Sequence, residues 1–135
     1  MRARAILLAL LLAPLAGPAP ARTNCPAIEL LYDEFEQLSE KRTDTNEDCR
    51  PDEFVYYREG KAERAERDQD FDGRIDVWLY FGPDGQPLRQ EQDTTGDGKA
   101  DRWITHHGGR PRTQLDDRNA DGKPDATLHY QGELP

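Results

Sequence analysis

Residues 68–76, DQDFDGRID, carry four aspartates at alternating positions and a glycine at the sixth position. Related nine-residue stretches begin at Asp44 (DTNEDCRPD), Asp93 (DTTGDGKAD) and Asp117 (DRNADGKPD). The four starting points lie 24, 25 and 24 residues apart, and so steady a period is typical of repeat proteins. The sequence therefore predicts a fold built from one unit of 24–25 residues that occurs four times.

Each acidic stretch is followed by a short run of apolar, aromatic and β-branched residues, which favours a strand. Corresponding positions of this run hold Phe54, Trp78, Trp103 and Thr127, then Val55, Leu79, Ile104 and Leu128, then Tyr57, Phe81, His106 and Tyr130. A glycine turn signal and a polar run come next. Each unit thus reads as apolar strand, tight turn, polar strand and Asp-rich loop. We predict a mainly β domain over residues 43–135, an antiparallel meander of about seven strands.

The segment before the first repeat, residues 22–42, shows a different pattern. Its apolar residues recur at helical spacing: Ile28, Leu31, Tyr32, Phe35 and Leu38. Pro26 stands near the start of this pattern and Lys41 and Arg42 near its end, as helix termini favour. The pattern predicts one amphipathic helix over residues 26–41, which would cover one face or one end of the sheet.

The first 21 residues have the layout of a secretory signal peptide. A basic start, MRAR, precedes the apolar run AILLALLLAPLA, and an A-x-A pattern ends at Ala21. The run is short for a membrane span, which makes a retained anchor the weaker alternative. Lipid attachment at Cys25 is weaker still, because the preceding residues RTN do not resemble a lipobox. We expect a secreted or periplasmic protein with no membrane span after cleavage.

The composition favours cations as partners. The chain has a net charge of −9, and removal of Arg2 and Arg4 with the leader leaves 16 basic against 27 acidic residues, or −11. This charge argues against nucleic acid or anionic membranes as partners. The export signal predicts a disulfide between Cys25 and Cys49, with two free thiols as the alternative. A small polar domain needs such support beyond its core.

The alternating aspartates have the spacing of a site for a hard cation. Oxygen-bearing side chains at positions 1, 3 and 5 of a tightly curled loop converge on one point, and position 9 reaches the ion directly or through water. Glycine at position 6 permits the sharp turn. The candidate ligands are Asp68, Asp70, Asp72 and Asp76; Asp93, Thr95, Asp97 and Asp101; Asp117, Asn119, Asp121 and Asp125; and Asp44, Asn46, Asp48 and Asp52. In the first copy, Cys49 replaces the glycine.

These loops resemble the D-x-[DN]-x-D-G loops of EF-hands, dockerins and thrombospondin type 3 repeats. They are most similar to secreted bacterial repeat proteins that place such loops between short hairpins. The resemblance covers nine residues in each of the four copies, about a third of the chain after cleavage. It implies Ca²⁺ as the bound ion at the candidate ligands named above, and it implies a structural role.

The loops depart from EF-hands at position 12, where a bidentate glutamate closes the EF-hand site. The residues here are apolar and belong to the predicted strand: Val55, Leu79, Ile104 and Leu128. No helix–loop–helix unit is therefore expected, and each site lacks its strongest ligand. We expect weak affinity, with a dissociation constant of roughly 10⁻⁴ to 10⁻³ M.

A bend that needs no metal is the alternative interpretation. Asp-Gly is a common turn sequence, because aspartate accepts hydrogen bonds from nearby backbone amides. A turn needs only one or two aspartates, however, whereas residues 68–76 contain four. Two unit charges about 4 Å apart cost about 4 kcal/mol at an effective dielectric near 20, and a cation removes that cost.

Other chemistry is weakly indicated. His106 and His107 are adjacent, so on a strand they point to opposite faces and chelate one metal poorly. No nucleophile, phosphate-loop or zinc motif is present. A glycosidase-like pair of carboxylates is the enzymatic alternative, but regularly repeated acids favour repeated ion sites, so we expect no enzymatic activity. Trp78 and Trp103 occupy equivalent repeat positions and form, with Phe54, a predicted aromatic row for a glycan or protein partner. A metal-independent adhesion or scaffold protein and a carbohydrate-binding module are the alternative functions.

Overall fold

The structure, a computed structural model, describes residues 25–131, and the predicted signal peptide at residues 1–21 lies outside them. The described part of the chain contains nine β-strands and no helix. The strands are β1 (Ile28–Tyr32), β2 (Leu38–Thr43), β3 (Glu53–Arg58), β4 (Lys61–Arg67), β5 (Val77–Phe81), β6 (Pro87–Gln92), β7 (Arg102–His107), β8 (Arg110–Asp116) and β9 (Ala126–His129).

Each strand pairs antiparallel with the next one along the chain, so the order across the sheet is β1 to β9. The predicted antiparallel meander is confirmed, including the polar strands β4, β6 and β8. The described residues contain nine strands rather than about seven, because the segment before the first acidic loop contributes two strands of its own.

The predicted helix over residues 26–41 is wrong. This segment forms the β1–β2 hairpin, whose turn matches the β5–β6 turn. The Asp33 amide donates to the Gln37 carbonyl at 2.8 Å, and the Gly82 amide donates to the Gln86 carbonyl at the same distance. Residues 27–43 therefore correspond to residues 76–92 without a gap.

The helical spacing misled because the turn of this hairpin contains no glycine. Glu36, at φ 59°, stands where the β5–β6 turn has Gly85, at φ 76°. Long-range pairing decides the outcome: β2 has neighbours on both sides, and a lone helix of this length gains little without packing.

The four acidic loops all lie at the same end of the strands, and this border of the sheet is here called the loop edge. Residues 44–52, 68–76, 93–101 and 117–125 connect strands β2–β3, β4–β5, β6–β7 and β8–β9. Backbone bonds join adjacent loops: the Asp68, Asp93 and Asp117 amides donate to the carbonyls of Asp52, Asp76 and Asp101 at 2.8–2.9 Å. This loop edge is therefore one continuous acidic border.

One face of the sheet, here called the charged face, alternates aromatic and charged residues. Directly paired residues form the rows Phe54–Glu66–Trp78–Glu91–Trp103 and Tyr56–Arg64–Tyr80–Arg89. The Arg64 and Arg89 guanidinium groups lie 4.4 Å from the centroids of the Tyr56 and Tyr80 rings. The same two arginines pair with Glu66 and Glu91 at 3.2 Å. The tryptophans share a face as predicted, but glutamates separate them.

The opposite face, here called the apolar face, has mostly uncharged residues in its two rows away from the acidic loops, with Lys41 as the exception. One row across it contains Leu30, Lys41, Val55, Ala65, Leu79, Gln90, Ile104, Gln114 and Leu128, and the next contains Tyr57, Ala62, Phe81, Pro87, His106 and Pro111. Within residues 25–131, no second layer packs on this face, because all nine strands belong to one sheet.

The most buried side chains lie at the loop edge rather than between layers. No apolar side chain in the described part of the chain is buried, whereas six aspartates retain only 3–8% of their exposure. These are Asp44, Asp52, Asp68, Asp93, Asp101 and Asp117.

The predicted disulfide between Cys25 and Cys49 is confirmed, with 5.4 Å between the two Cα atoms. It joins the residues preceding β1 to the first acidic loop. Cross-links that close a loop of this size stabilise small domains by about 3 kcal/mol in the chain-entropy account.

Glu36→Gly tests the hairpin that replaces the predicted helix. A non-glycine residue in the left-handed region costs about 1 kcal/mol, so the glycine raises the urea midpoint of unfolding. Glu34→Gly is the matched control: it removes the same charge in the same turn at a residue without positive φ, and we expect it to lower the midpoint. In a helix both substitutions would be destabilising by up to about 1 kcal/mol, so a lowered midpoint for Glu36→Gly contradicts the hairpin.

Candidate metal centre

The four acidic loops share one backbone conformation with two left-handed residues. At position 6 the φ angles are 72° for Cys49, 92° for Gly73, 86° for Gly98 and 84° for Gly122. At position 4 they are 61° for Glu47, 63° for Phe71, 76° for Gly96 and 57° for Ala120. The cysteine of the first loop thus adopts the turn of the glycines. The sequence does not reveal the second left-handed position, because three of its four residues are not glycine.

The carboxylates at positions 1 and 9 hold each loop closed from inside. The position-6 amides of Cys49, Gly73, Gly98 and Gly122 donate to Asp44, Asp68, Asp93 and Asp117 at 2.6–2.8 Å. The position-2 amides of Thr45, Gln69, Thr94 and Arg118 donate to Asp52, Asp76, Asp101 and Asp125 at 2.6–3.2 Å. Both carboxylates therefore serve the backbone in every copy, as the bend interpretation requires.

The carboxylates at position 5 are exposed and accept hydrogen bonds from backbone amides two residues further along the loop. The position-7 amides of Arg50, Arg74, Lys99 and Lys123 donate to Asp48, Asp72, Asp97 and Asp121 at 2.8–2.9 Å. The structure thus gives these predicted ligands a turn-forming contact.

The second loop gathers three carboxylates. One oxygen from each of Asp68, Asp70 and Asp76 lies within 4.8 Å of the other two, and this is the one such group found among residues 25–131. The Oδ1 atom of Asp68 is buried and has no hydrogen-bond partner, although Oδ2 accepts from Gly73. Because a buried polar atom without a partner is costly, this oxygen marks a place where a cation would be favourable. The three carboxylates form a group that could hold a metal ion.

The electrostatics of the second loop agree with this geometry. A hydrogen bond from the Asp72 amide lowers the pKa of Asp70, but desolvation and the charges of Asp72, Asp76 and Asp68 outweigh it, so the pKa is raised. Like charges at close range disfavour the ionised form, and a bound cation reverses that effect.

The third loop satisfies its own carboxylate instead. At position 3, Thr95 donates to Asp93 Oδ1 through its amide at 3.1 Å and its hydroxyl at 3.2 Å. The Gly96 amide donates to the same oxygen at 2.7 Å. Burial raises the pKa of Asp93, but the hydrogen bonds from Gly98, Gly96 and Thr95 outweigh it and the pKa is lowered. The carboxylate of Asp93 is therefore satisfied by donors from its own loop.

The first and fourth loops resemble each other because both have asparagine at position 3. Asn46 and Asn119 donate through Nδ2 to the position-5 carboxylates of Asp48 and Asp121, at 3.1 and 3.4 Å. The position-5 amides donate in turn to Asp44 and Asp117 at 3.2 and 3.3 Å. Neither loop brings three carboxylates together.

Among the carboxylates of the sixteen predicted ligands, only Asp68, Asp70 and Asp76 form a group of three within residues 25–131. A cleft of about 520 Å³ lies between the second and third loops and is lined by Asp70, Asp76 and Asp93 among others. Asp70 and Asp76 thus border an open cleft on the side of the third loop, whereas Asp68 is buried.

Comparisons with known proteins do not extend these observations: no protein-family model and no curated protein matches the chain. In the part of the chain that the structure describes, no helix is long and apolar enough to cross a membrane.

Asp93→Asn tests how far the third loop depends on its self-satisfied carboxylate. The substitution removes an acceptor for buried amides, so we expect the free energy of unfolding to fall by about 1–3 kcal/mol at neutral pH. Because the folded pKa of Asp93 is lowered, its contribution is complete above the ordinary value of 3.8 and is lost as the pH falls through the folded value. Urea unfolding of both proteins between pH 7 and pH 2 measures the difference.

Asp97→Asn is the control for that measurement, because it removes the same charge from the same loop at an exposed residue with one backbone contact. If Asp97→Asn loses as much stability as Asp93→Asn, or if the loss in Asp93→Asn does not depend on pH, the Asp93 carboxylate is not the group that stabilises the third loop.

Proposed function

We propose that this chain is an exported, non-enzymatic protein whose second acidic loop binds Ca²⁺ and whose role is structural. The observation that carries the proposal is the group formed by Asp68, Asp70 and Asp76, in which the buried Oδ1 atom of Asp68 lacks a partner. The disulfide supports export, since disulfides persist in oxidising compartments.

Calcium is the ion that these donors favour. All three clustered groups are carboxylates, which are hard oxygen ligands, and no histidine or cysteine belongs to the group. Ca²⁺ accepts six to eight oxygens in flexible geometry, so backbone carbonyls and water can complete its shell. Mg²⁺ requires a tighter octahedron, and Zn²⁺ takes nitrogen and sulphur ligands more often.

The ion would act by joining the two ends of the loop. Asp68 and Asp70 follow β4 and Asp76 precedes β5, so one ion ties the connection between these strands. The Asp76 carbonyl accepts from the Asp93 amide at 2.8 Å, which passes the constraint to the third loop. An affinity of roughly 10⁻⁴ to 10⁻³ M suits extracellular calcium concentrations.

A metal-independent scaffold is the second candidate, and the first, third and fourth loops favour it. Their position-1 carboxylates accept two or more hydrogen bonds from their own loops. Glycan binding through Trp78 and Trp103 stays a prediction; Trp78 lies between Glu66 and Glu91, and Trp103 lies between Glu91 and Leu115.

Asp70→Asn tests the calcium site with little change of shape. In the unsubstituted protein, we expect calorimetry to detect one weak site and 10 mM Ca²⁺ to raise the free energy of unfolding by about 1.4 to 2.7 kcal/mol. Asp70→Asn removes a ligand charge, so we expect the affinity for Ca²⁺ to fall at least about tenfold. Both the calorimetric heat and the stabilisation by Ca²⁺ should decrease accordingly. Without calcium, the variant should be slightly more stable, because like-charge repulsion is relieved.

Asp84→Asn is the matched control: it removes one exposed charge in the β5–β6 turn, at the opposite edge of the sheet. It should bind Ca²⁺ as the parent protein does. If the parent protein shows neither heat nor stabilisation, the scaffold function holds instead. An equal loss of Ca²⁺ binding in Asp70→Asn and Asp84→Asn would mean that binding depends on the net charge of the protein rather than on the second loop.

A further inference from the structure

The two faces of the sheet differ in a way that the calcium site does not explain. On the charged face, arginines stack on tyrosines and pair with glutamates, so the side chains satisfy one another in water. The apolar face has no comparable network at its centre, where Val55, Leu79 and Ile104 lie in one row and Lys41, at its β2 end, is the one charged member. A sheet with one solvated and one apolar face normally buries the apolar one.

Charged pairs on the apolar face are confined to the row beside the loop edge. Arg67 contacts Glu53, and the Nε atom of Arg102 donates to Asp116 at 2.7 Å. Hydrogen bonds from Arg102 and Gln114 outweigh the desolvation of Asp116 and lower its pKa. An apolar centre with a paired polar rim is the composition of a protein–protein interface.

The size of this face suits a second copy of the same chain. Nine strands about 4.8 Å apart make a sheet about 38 Å wide, and six residues at about 3.3 Å each make it about 20 Å deep. The face thus covers roughly 750 Å², close to the roughly 800 Å² that each partner contributes to a standard interface. A shallow hollow above Ala65, between Val55 and Leu79, gives room for side chains of an opposing layer.

Charge selects the orientation of the pair. With a two-fold axis along the strands, both acidic loop edges would lie at the same end and repel. With the axis across the strands, the two loop edges lie at opposite ends, and β5 lies over its own counterpart. The net charge of −9 favours the second arrangement.

We propose that two copies of this chain pack through their apolar faces into a two-layer β-sandwich, with the acidic loops at opposite ends. The interface is self-complementary, as a two-fold axis requires. The charged faces then form both outer surfaces of the dimer. This assembly is independent of calcium, because none of Asp68, Asp70 and Asp76 lies on the apolar face.

Ile104→Glu and Thr105→Glu form the test, because these adjacent residues of β7 lie on opposite faces. Sedimentation velocity of the purified chain at micromolar concentration should give twice the mass of one chain. Ile104→Glu buries a charge at the centre of the interface, so it should weaken dimerisation at least about a hundredfold. Thr105→Glu, on the charged face, should leave the dimer intact. Chelation of calcium should change neither result.

Leu128→Glu keeps the test decisive if Ile104→Glu does not fold. Leu128 is 51% exposed in the single chain, so the change spares the sheet while adding a charge to the apolar face. Its control is Thr127→Glu, its neighbour on the charged face. Loss of the dimer in Leu128→Glu alone supports the proposal.

Three results would overturn the proposal. One is a monomer at micromolar concentration in chains with or without residues 1–21, which would indicate that another segment or partner covers the face. Another is a dimer that survives substitution on the apolar face, which would indicate pairing of edge strands β1 or β9. The third is a monomer that floats with lipid vesicles, which would identify a membrane as the occupant.

Discussion

The constraint on which this structure depends is the pairing of loop carboxylates with loop amides. A backbone amide that leaves water must find an acceptor, and the left-handed turns at positions 4 and 6 point several amides inward. The aspartates at positions 1 and 9 supply the acceptors in all four loops. Six of these eight side chains are the only buried side chains among residues 25–131. The loops therefore hold the strand ends together in a sheet that has no apolar core.

Given that shared frame, the residue at position 3 decides what each loop can do. Asp70 brings a third carboxylate, which has acceptor oxygens but no donor group. It therefore cannot satisfy the buried Oδ1 atom of Asp68, which has no hydrogen-bond partner. Thr95 adds a hydroxyl donor and allows the Gly96 amide to reach the same carboxylate. Asparagine adds an amide that turns to the position-5 carboxylate. One side chain therefore separates a loop suited to a cation from loops that are complete as bends.

Position 3 also explains the opposite pKa directions of Asp70 and Asp93. Both carboxylates belong to loops of the same backbone conformation, but the second loop has four aspartates and the third has three. In the third loop, donors surround the carboxylate and favour its charge; in the second, carboxylates crowd one another and disfavour it. The sequence shows the extra charge at Asp70 but not the donors that surround Asp93, because donor geometry depends on how each side chain turns.

The repeat made much of the fold predictable. The period located the strands, placed the four acidic loops at one edge and put Trp78 and Trp103 on one face. The predicted signal peptide and the even cysteine pair together predicted the disulfide. These features follow from chain order and alternation, which antiparallel pairing preserves.

The failures have local causes. Glu36 and Phe71 adopt left-handed conformations that glycine usually marks, so the first hairpin and the second left-handed loop position were hidden. The sequence offered sixteen oxygen-bearing candidates and favoured residues 68–76 for their four carboxylates; among the carboxylates of residues 25–131, three of that loop converge. Convergence is set by competing hydrogen bonds within each loop, and spacing does not report which donor a carboxylate accepts.

The short repeat leads to a scaling argument about stability. Strands of four to seven residues give the sheet a fixed depth, so each added unit widens both faces but creates no interior. Apolar burial per residue therefore does not rise with the number of repeats, unlike in a globular domain whose core grows with size. What each unit does add is another carboxylate-bound loop at the edge and another strip of apolar face. Stability in such a design must come from the loops, from a second layer, or from both, and these two sources respond to different conditions: the loops to pH and cations, the layer to protein concentration.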